Sequence, residues 1–277
     1  MRKVFKNDAL NKTFTKQGYV VVSLLTDVEV NDALDFFYQS GHHTGKKEFY
    51  TTTWLSDSEL RLKTNEKMKN IFSARLSELL DNYTFFYGSY FVKESGEQGD
   101  CEAHQDWTCS EEPECSSVTV WCALQDVTPE NGCLQILPYS QNLPNYIRGR
   151  HTPDYLTEVS AFVQKYLFKP IILKKGQAIL FNQRMIHGSF SNFSSALRIA
   201  CGGVAAPADR PVIHYVGESA SEIKKVSAEN DLFSRYDTFD KMENEPAVER
   251  ISYPYARLTK KELVGVICRA YLHSLFS

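Results

Sequence analysis

A chain of 277 residues with 43% apolar and 13% aromatic side chains has the material for one sizeable buried core. Its formal net charge of -3 and pI near 6.2 supply no broad basic field, which speaks against nucleic acid or an anionic membrane as partner. The apolar run from Tyr19 to Val22, continued by Ser23-Leu24-Leu25, is too short to span a membrane and precedes no small-residue cleavage site, and seven cysteines suit reduced thiols in a cytoplasm.

Thr26-Asp-Val-Glu29 reads as a capping box, and Val30, Leu34 and Phe37 keep helical spacing up to Gly41. A second helix is predicted from about Glu66 to Leu80, on the stripe of Met68, Ile71, Phe72, Leu76, Leu79 and Leu80. After Tyr83 the texture changes to short apolar runs between turn residues, the pattern of a β sandwich or barrel. Predicted strands are Phe85 to Lys93, Val118 to Gln125, Cys133 to Leu137, Pro170 to Leu173, Ala178 to Phe181, Ile186 to Phe190 and Leu197 to Val204. Thr128-Pro-Glu-Asn-Gly132 and Lys174-Lys-Gly-Gln177 are turns. Ser140 to Phe168 is polar, aromatic and too long for a hairpin loop, and is read as a lid over a pocket. Thr259-Lys-Lys-Glu262 opens a C-terminal helix whose Leu263, Val266, Ile267, Ala270 and Leu275 lie broadly on one face. No linker or repeat divides the chain, so residues 1–277 are expected to form a single domain with its β core over about 83–206.

The chemistry concentrates in "CEAHQDWTC", residues 101–109. The nearest cysteine pair, Cys109 and Cys115, has five residues between its members, wider than structural zinc sites use, although single ligands converging in space stay open. With 7 histidines and 34 acidic residues in the chain, about one His-x-Asp/Glu arises by chance, so context must decide. Along an extended segment His104 and Asp106 share one face. His187 is the third candidate ligand: it lies eleven residues before Arg198, a spacing that suits adjacent antiparallel strands. Two histidines and a carboxylate leave open positions on a non-haem iron(II). Arg198, inside "ALRIACGGVA", is placed to grip the carboxylate of a chelating co-substrate.

"HQDW" followed by "SVTVWCALQDVTPENGCLQILPYSQ" and "HGSFSNFSSALRIA", with "FTKQGYVVVSLLTDVEV" ahead of them, resembles the phytanoyl-CoA dioxygenase family of Fe(II)/2-oxoglutarate oxygenases over most of residues 14–206. The resemblance implies a double-stranded β-helix, a cupin-like jelly roll, mainly β with flanking helices. It implies iron on His104, Asp106 and His187, with Arg198 and Ser189 on the far carboxylate of 2-oxoglutarate. Trp121 and Gln105 would line the pocket, and Ser89 would also touch the co-substrate. Halogenases of the family lack the ligating carboxylate; Asp106 is present here, which points to oxygen insertion using O2.

The expected activity is hydroxylation of an amino acid or natural-product precursor with release of succinate and CO2. Desaturation, cyclisation or epimerisation in the same site, and a non-catalytic metal- and ligand-binding jelly roll, are the alternatives. "SGHHTGKK" fails as a phosphate loop because Ser40 and Lys47 occupy required Gly and Ser/Thr positions. His42 and His43 are read as loop residues or substrate contacts, and Lys46, Lys47, Tyr50, Trp54 and Arg61 as a loop able to gate the pocket. Trp107 either stacks on substrate or packs beneath its loop. Oligomeric state and the roles of 42–65, 140–168 and 207–277 are not assigned.

Overall fold

A computed structural model describes residues 2–41, 49–96, 99–228, 234, 242 and 244–276. Thus His42, His43, Lys46 and Lys47 lie outside the described residues.

Local chemistry sets the helices. The first, α1 (Asp8–Gln17), was not predicted: a single buried residue, Phe14, marks its inner face, but Asn7 caps its start and Gly18 its end, the glycine with φ of 90°. After β1 (Tyr19–Ser23) comes α2 (Asp27–Gln39), opened by the predicted box in which the Thr26 N–H donates to Glu29 at 2.8 Å. Beyond β2 (Phe49–Thr51), α3 (Ser58–Leu79) begins eight residues before the predicted Glu66, capped by Asp57. Its first turns carry Arg61, Thr64 and Asn65, polar residues that interrupt the apolar stripe and are nevertheless buried. Tertiary partners absorb them: Asn65 accepts from the Gly88 N–H at 2.9 Å, and Arg61 donates to the Leu55 carbonyl.

Six predicted strands are present as β3 (Tyr83–Lys93), β5 (Val118–Ala123), β6 (Leu134–Ile136), β8 (Gln177–Asn182), β9 (His187–Ser189) and β10 (Arg198–Pro207); of the predicted Pro170 to Leu173 only Pro170 lies in a strand, β7 (Lys169–Pro170), and Leu173 makes an isolated bridge with Val127. A strand not predicted, β4 (Cys101–His104), precedes β5. β1-β8-β5-β10-β3-β2 form one sheet and β4-β9-β6-β7 a second, with antiparallel pairing throughout. Alternation assigns the faces of the larger sheet. Val118, Val120, Cys122, Leu180 and Ile199 enter the core shared with α1 to α3, whereas Trp121, Ile179, Phe181 and Ala200 join residues of the second sheet. This two-sheet, mainly β arrangement is the expected jelly roll.

Two expectations need correcting. His187 and Arg198 are not on neighbouring strands: β9 pairs with β4 and β6 while β10 pairs with β3 and β5, so the chain crosses between sheets over residues 190–197. Buried Asn192 fastens the crossing by donating to the carbonyls of Lys93 and Ala196 at 3.1 and 2.8 Å. Residues 140–168 are also not a lid. Leu143, Tyr146, Tyr155, Leu156 and Val159 are buried, and α4 (Ser160–Tyr166) presents Val163, all in a cluster with Ala103, Ile186, Leu258 and Leu263. Apolar residues spaced irregularly over a long segment carry no periodicity, so their burial was not visible in the sequence.

The previously unassigned C-terminal region supplies a third sheet, β11 (Ile213–Gly217), β12 (Glu222–Ser227) and β13 (Glu249–Ser252), and then α5 (Lys260–Phe276) behind its predicted Thr259–Glu262 box. Leu263 of α5 packs inward; Leu275, expected on that face, is 59% exposed. No helix among the described residues is long and apolar enough to cross a membrane.

Candidate active site

The mouth between the two sheets brings His104, Asp106 and His187 together, with one possible ligand atom from each lying within 4.8 Å of the others. His104 and His187 are direct cross-strand partners, with ring centroids 4.2 Å apart, because a bulge in β4 shifts the register after Cys101. Asp106 follows two residues beyond the end of β4.

Each of the three has its other polar atom tied. The Glu102 carbonyl is 2.8 Å from His104 Nδ1 and the Met185 carbonyl 3.1 Å from His187 Nδ1, so in both rings Nδ1–H donates and Nε2 is the nitrogen left for a metal, on His104 once its extra proton is displaced. Thr119 Oγ1 donates to Asp106 Oδ2 at 2.6 Å, while Oδ1 lies 3.6 Å from His187 Nε2. This donor set fits a divalent transition metal held by two imidazoles and a carboxylate. Burial, reinforced by His104, pushes His187 down to about 4 and keeps it neutral. Burial opposes charge on His104 too, but Cys101 and Asp106 outweigh it and raise that histidine, so the pair carries its proton there. Metal uptake at such a cluster displaces that proton.

A cavity of about 510 Å³ extends from this cluster, within the size range of small-ligand sites. At one end lies Arg198, 1% exposed, its guanidinium 5.2 Å from the Trp121 ring centroid and one nitrogen donating to the Phe91 carbonyl at 3.1 Å. Its Nε has no acceptor, and no carboxylate pairs with it among the described residues. Burial lowers the Arg198 guanidinium to about 9, because an uncompensated charge is unfavourable there. Opposite it in register is Lys93, fully buried and donating to the Gly99 and Phe190 carbonyls. Burial, and then Arg198, hold the Lys93 ammonium down to about 7. Arg198, a buried cation lining the cavity with no carboxylate partner among the described residues, fits a bound carboxylate.

Of the predicted residues, Gln105, Trp121, Ser189 and Arg198 line this cavity together with the three candidate ligands. Gln105 also braces the ligand segment, accepting from the Tyr155 hydroxyl and donating to the Arg184 carbonyl. Ser89 does not line the cavity: its hydroxyl is held by Thr51 and Thr52 of the neighbouring segment. Trp107 lines the cavity and also packs on His214 of β11 at 4.8 Å, which joins its two alternatives. Trp54 lines the mouth, whereas Tyr50 and Arg61 of the expected gate are buried.

Sequence reasoning missed Lys93, although a lysine closing the apolar run "SYFVK" was a signal. It also missed Arg148. That guanidinium is bidentate to buried Glu112 at 2.8 and 2.9 Å, and its Nε donates to the Asp106 carbonyl at 2.8 Å. The Thr108 N–H donates to the Arg148 carbonyl at 2.9 Å, so residues 106–108 are clamped by backbone and side chain alike. Nothing in the local sequence around Arg148 pairs it with a ligand forty residues earlier.

The sequence profile of the family described as Phytanoyl-CoA dioxygenase (PhyH) matches residues 14–200. Phytanoyl-CoA dioxygenase domain-containing protein 1 of Danio rerio is 30% identical over 186 residues, 60% of this chain and 63% of that protein. Phytanoyl-CoA dioxygenase 1 of Oryza sativa subsp. japonica is 29% identical over 140 residues, 47% of this chain and 48% of its own. The chain therefore spans less than two thirds of these curated relatives. Among solved structures, the non-heme alpha ketoglutarate dependent carbocyclase SnoK superposes with a TM-score of 0.55 at 22% identity, covering 77% of this chain and 88% of SnoK. The epimerase SnoN, in a complex with Fe3+, alpha ketoglutarate and nogalamycin RO, gives 0.54 at 17% identity, covering 90% and 95%. At these identities the likeness establishes a shared fold.

Proposed function

The chain belongs to the phytanoyl-CoA dioxygenase family, and from that premise we propose that it is an Fe(II)/2-oxoglutarate-dependent oxygenase that hydroxylates a small molecule. The observation that carries this reading is the donor set. His104, Asp106 and His187 each have their far atom tied by Glu102, Thr119 or Met185, so their near atoms are pre-oriented on one point.

Bound there, iron with 2-oxoglutarate and O2 supplies C–H oxidation, the keto acid leaving as succinate and CO2. The chain's own residues do the rest. Arg198, with Ser189 in the same cavity, would hold the far carboxylate of 2-oxoglutarate in a site where no described side chain competes for it. The burial of Arg198, 1% exposed with its guanidinium over the Trp121 ring, would keep water from weakening that pairing. Arg148 and Gln105 act through the backbone and side chain of the ligand segment as positioning residues. Seven free thiols support the expected cytoplasmic setting.

Ring formation and epimerisation are the alternative outcomes, named for SnoK and SnoN, and they would use the same ligands. The test is anaerobic titration of the protein with Fe(II) and then 2-oxoglutarate, following the visible charge-transfer band of the chelate, in wild type and Asp106→Ala. A band in wild type that is lost or shifted in the variant is expected. Iron binding without a band would sink the oxygenase reading and favour a non-catalytic metal-binding jelly roll.

A further inference from the structure

The cavity continues past the metal cluster to an end of different chemistry. Phe86, Tyr87, Trp107 and Cys109 line it there, and the same side chains pack outward on Val226 and Met242 of the C-terminal region. A register shift in the β3–β10 pairing sets this wall. Val204 pairs with Tyr87 and Ala205 with Phe85, so Phe86 is bulged out and joins Tyr87 on the cavity side, while Phe85 turns to the helix core. Gly203, opposite, lets the two strands approach closely here; a Cβ there would sit 1.9 Å from the Tyr87 carbonyl oxygen. At the mouth Trp54 meets Phe49 edge-on at 5.7 Å.

Fixed charge is missing from this wall. Among the described lining residues Arg198 is the one lysine or arginine, and it belongs to the other end. The polar groups are neutral: the Thr51, Thr53 and Tyr87 hydroxyls, and Gln183. The buried Gln183 carboxamide is tied through Nε2 to the Cys109 sulfur, a weak acceptor, at 3.6 Å, and its Oε1 has no donor among the described residues. Rotation about the soft terminal torsion of this side chain turns that oxygen onto a ligand donor.

An anion placed against this wall would lose its hydration and meet the negative faces of the rings, while a cation would gain from those faces only about 2 kcal/mol of cation–π attraction, well short of the cost of burying an unpaired charge. An uncharged ring gains stacking and loses nothing. We infer that the substrate is an uncharged, ring-bearing small molecule with a hydroxyl or N–H donor, seated against Trp107, Phe86 and Tyr87 with Gln183 accepting from it. The inference rests on the oxygenase reading for what happens to the bound ring. It narrows the amino acid or natural-product precursor to the latter, and sets aside a phosphate-bearing acyl-CoA.

Calorimetric titration of the protein loaded anaerobically with Fe(II) and 2-oxoglutarate tests it, using probes of one skeleton: 2-naphthol, 2-naphthoate, naphthalen-2-ylmethylammonium and 2-methoxynaphthalene, with octanoyl-CoA as the acyl thioester. 2-Naphthol should bind at least tenfold more tightly than either ion and than octanoyl-CoA. Gln183→Leu should weaken 2-naphthol about tenfold and leave 2-methoxynaphthalene, which has no donor, unchanged. Trp107→Leu should weaken both neutral probes. Preference for an ion or for octanoyl-CoA, or no binding of the neutral probes to wild type, overturns the inference, and the wild-type series decides this without any variant. Loss of the chelate band in the same sample marks failure of the oxygenase reading instead, and a band with ion preference marks failure of the substrate class alone.

Discussion

On one side of the His104–Asp106–His187 cluster the cavity ends in buried Arg198, with buried Lys93 opposite it in register behind the lining; on the other it ends in rings and hydroxyls with, among the described residues, no lysine or arginine. The two ends solve recognition by opposite means. A cation without a partner in the interior is costly, so the Arg198 end specifies an anion strongly and tolerates little else. The Trp107 end specifies by shape and by hydroxyl partners, which discriminates more gently. On the proposed reading the cationic end takes the co-substrate and the ring-lined end the substrate.

The contrast breaks most completely at Arg198. Arg198→Met should lower 2-oxoglutarate affinity on the order of 100-fold or more, the scale expected when one partner of a buried charge pair is removed. Iron affinity should change by no more than a few-fold. Chelate-band titration measures both, and equal losses of iron and keto acid would mean that Arg198 supports the fold rather than one end of the cavity.

A smaller effect is expected at the boundary between the ends. Arg148→Lys keeps the charge but cannot hold both Glu112 oxygens and the Asp106 carbonyl at once. Metal affinity should fall by about 10- to 100-fold, as for other outer partners of metal ligands. An unchanged metal affinity in a folded Arg148→Lys protein would show that Asp106 is positioned without it.

The smallest effect sharpens the cationic end through pH. Burial and then Arg198 hold Lys93 down to about 7 against an ordinary 10.5, so between those values the unfolded chain binds the extra proton and folding gains stability as pH rises. Below that window the cost is fully present. Lys93→Met removes it, so the difference in urea midpoint, variant minus wild type, should favour the variant most near pH 7 and shrink toward pH 10. A difference that is flat with pH would mean Lys93 is not depressed.

Much of this was legible in the chain itself. Thr26–Glu29 and Thr259–Glu262 are local boxes whose bonds form between residues three apart, so the helices they open were readable without a fold. Most strands of the two core sheets were readable from apolar runs and turn residues, whereas β1, β2, β4 and the three of the C-terminal sheet were not. The start of α3 was not, because Arg61, Thr64 and Asn65 look like surface residues until Gly88 and Leu55 are seen to receive them. His104 and Asp106 were legible as a pair because alternation is local, and their likeness to a family pattern brought His187 and Arg198 alongside.

Legible in the chain, then, is what depends on spacing within one element: the two helices opened by capping boxes, most core strands, the His-x-Asp pair and the residues of the family pattern. The tertiary structure alone decided that β9 and β10 lie in different sheets, that residues 140–168 brace Asp106 instead of covering the pocket, and that Lys93 faces Arg198. It also decided that a bulge at Phe86 turns two adjacent rings inward to make the uncharged wall. The physical reason is range. Capping and alternation act over two to four residues and leave a trace in the sequence, whereas a buried charge or a bulged ring takes its meaning from partners tens of residues away.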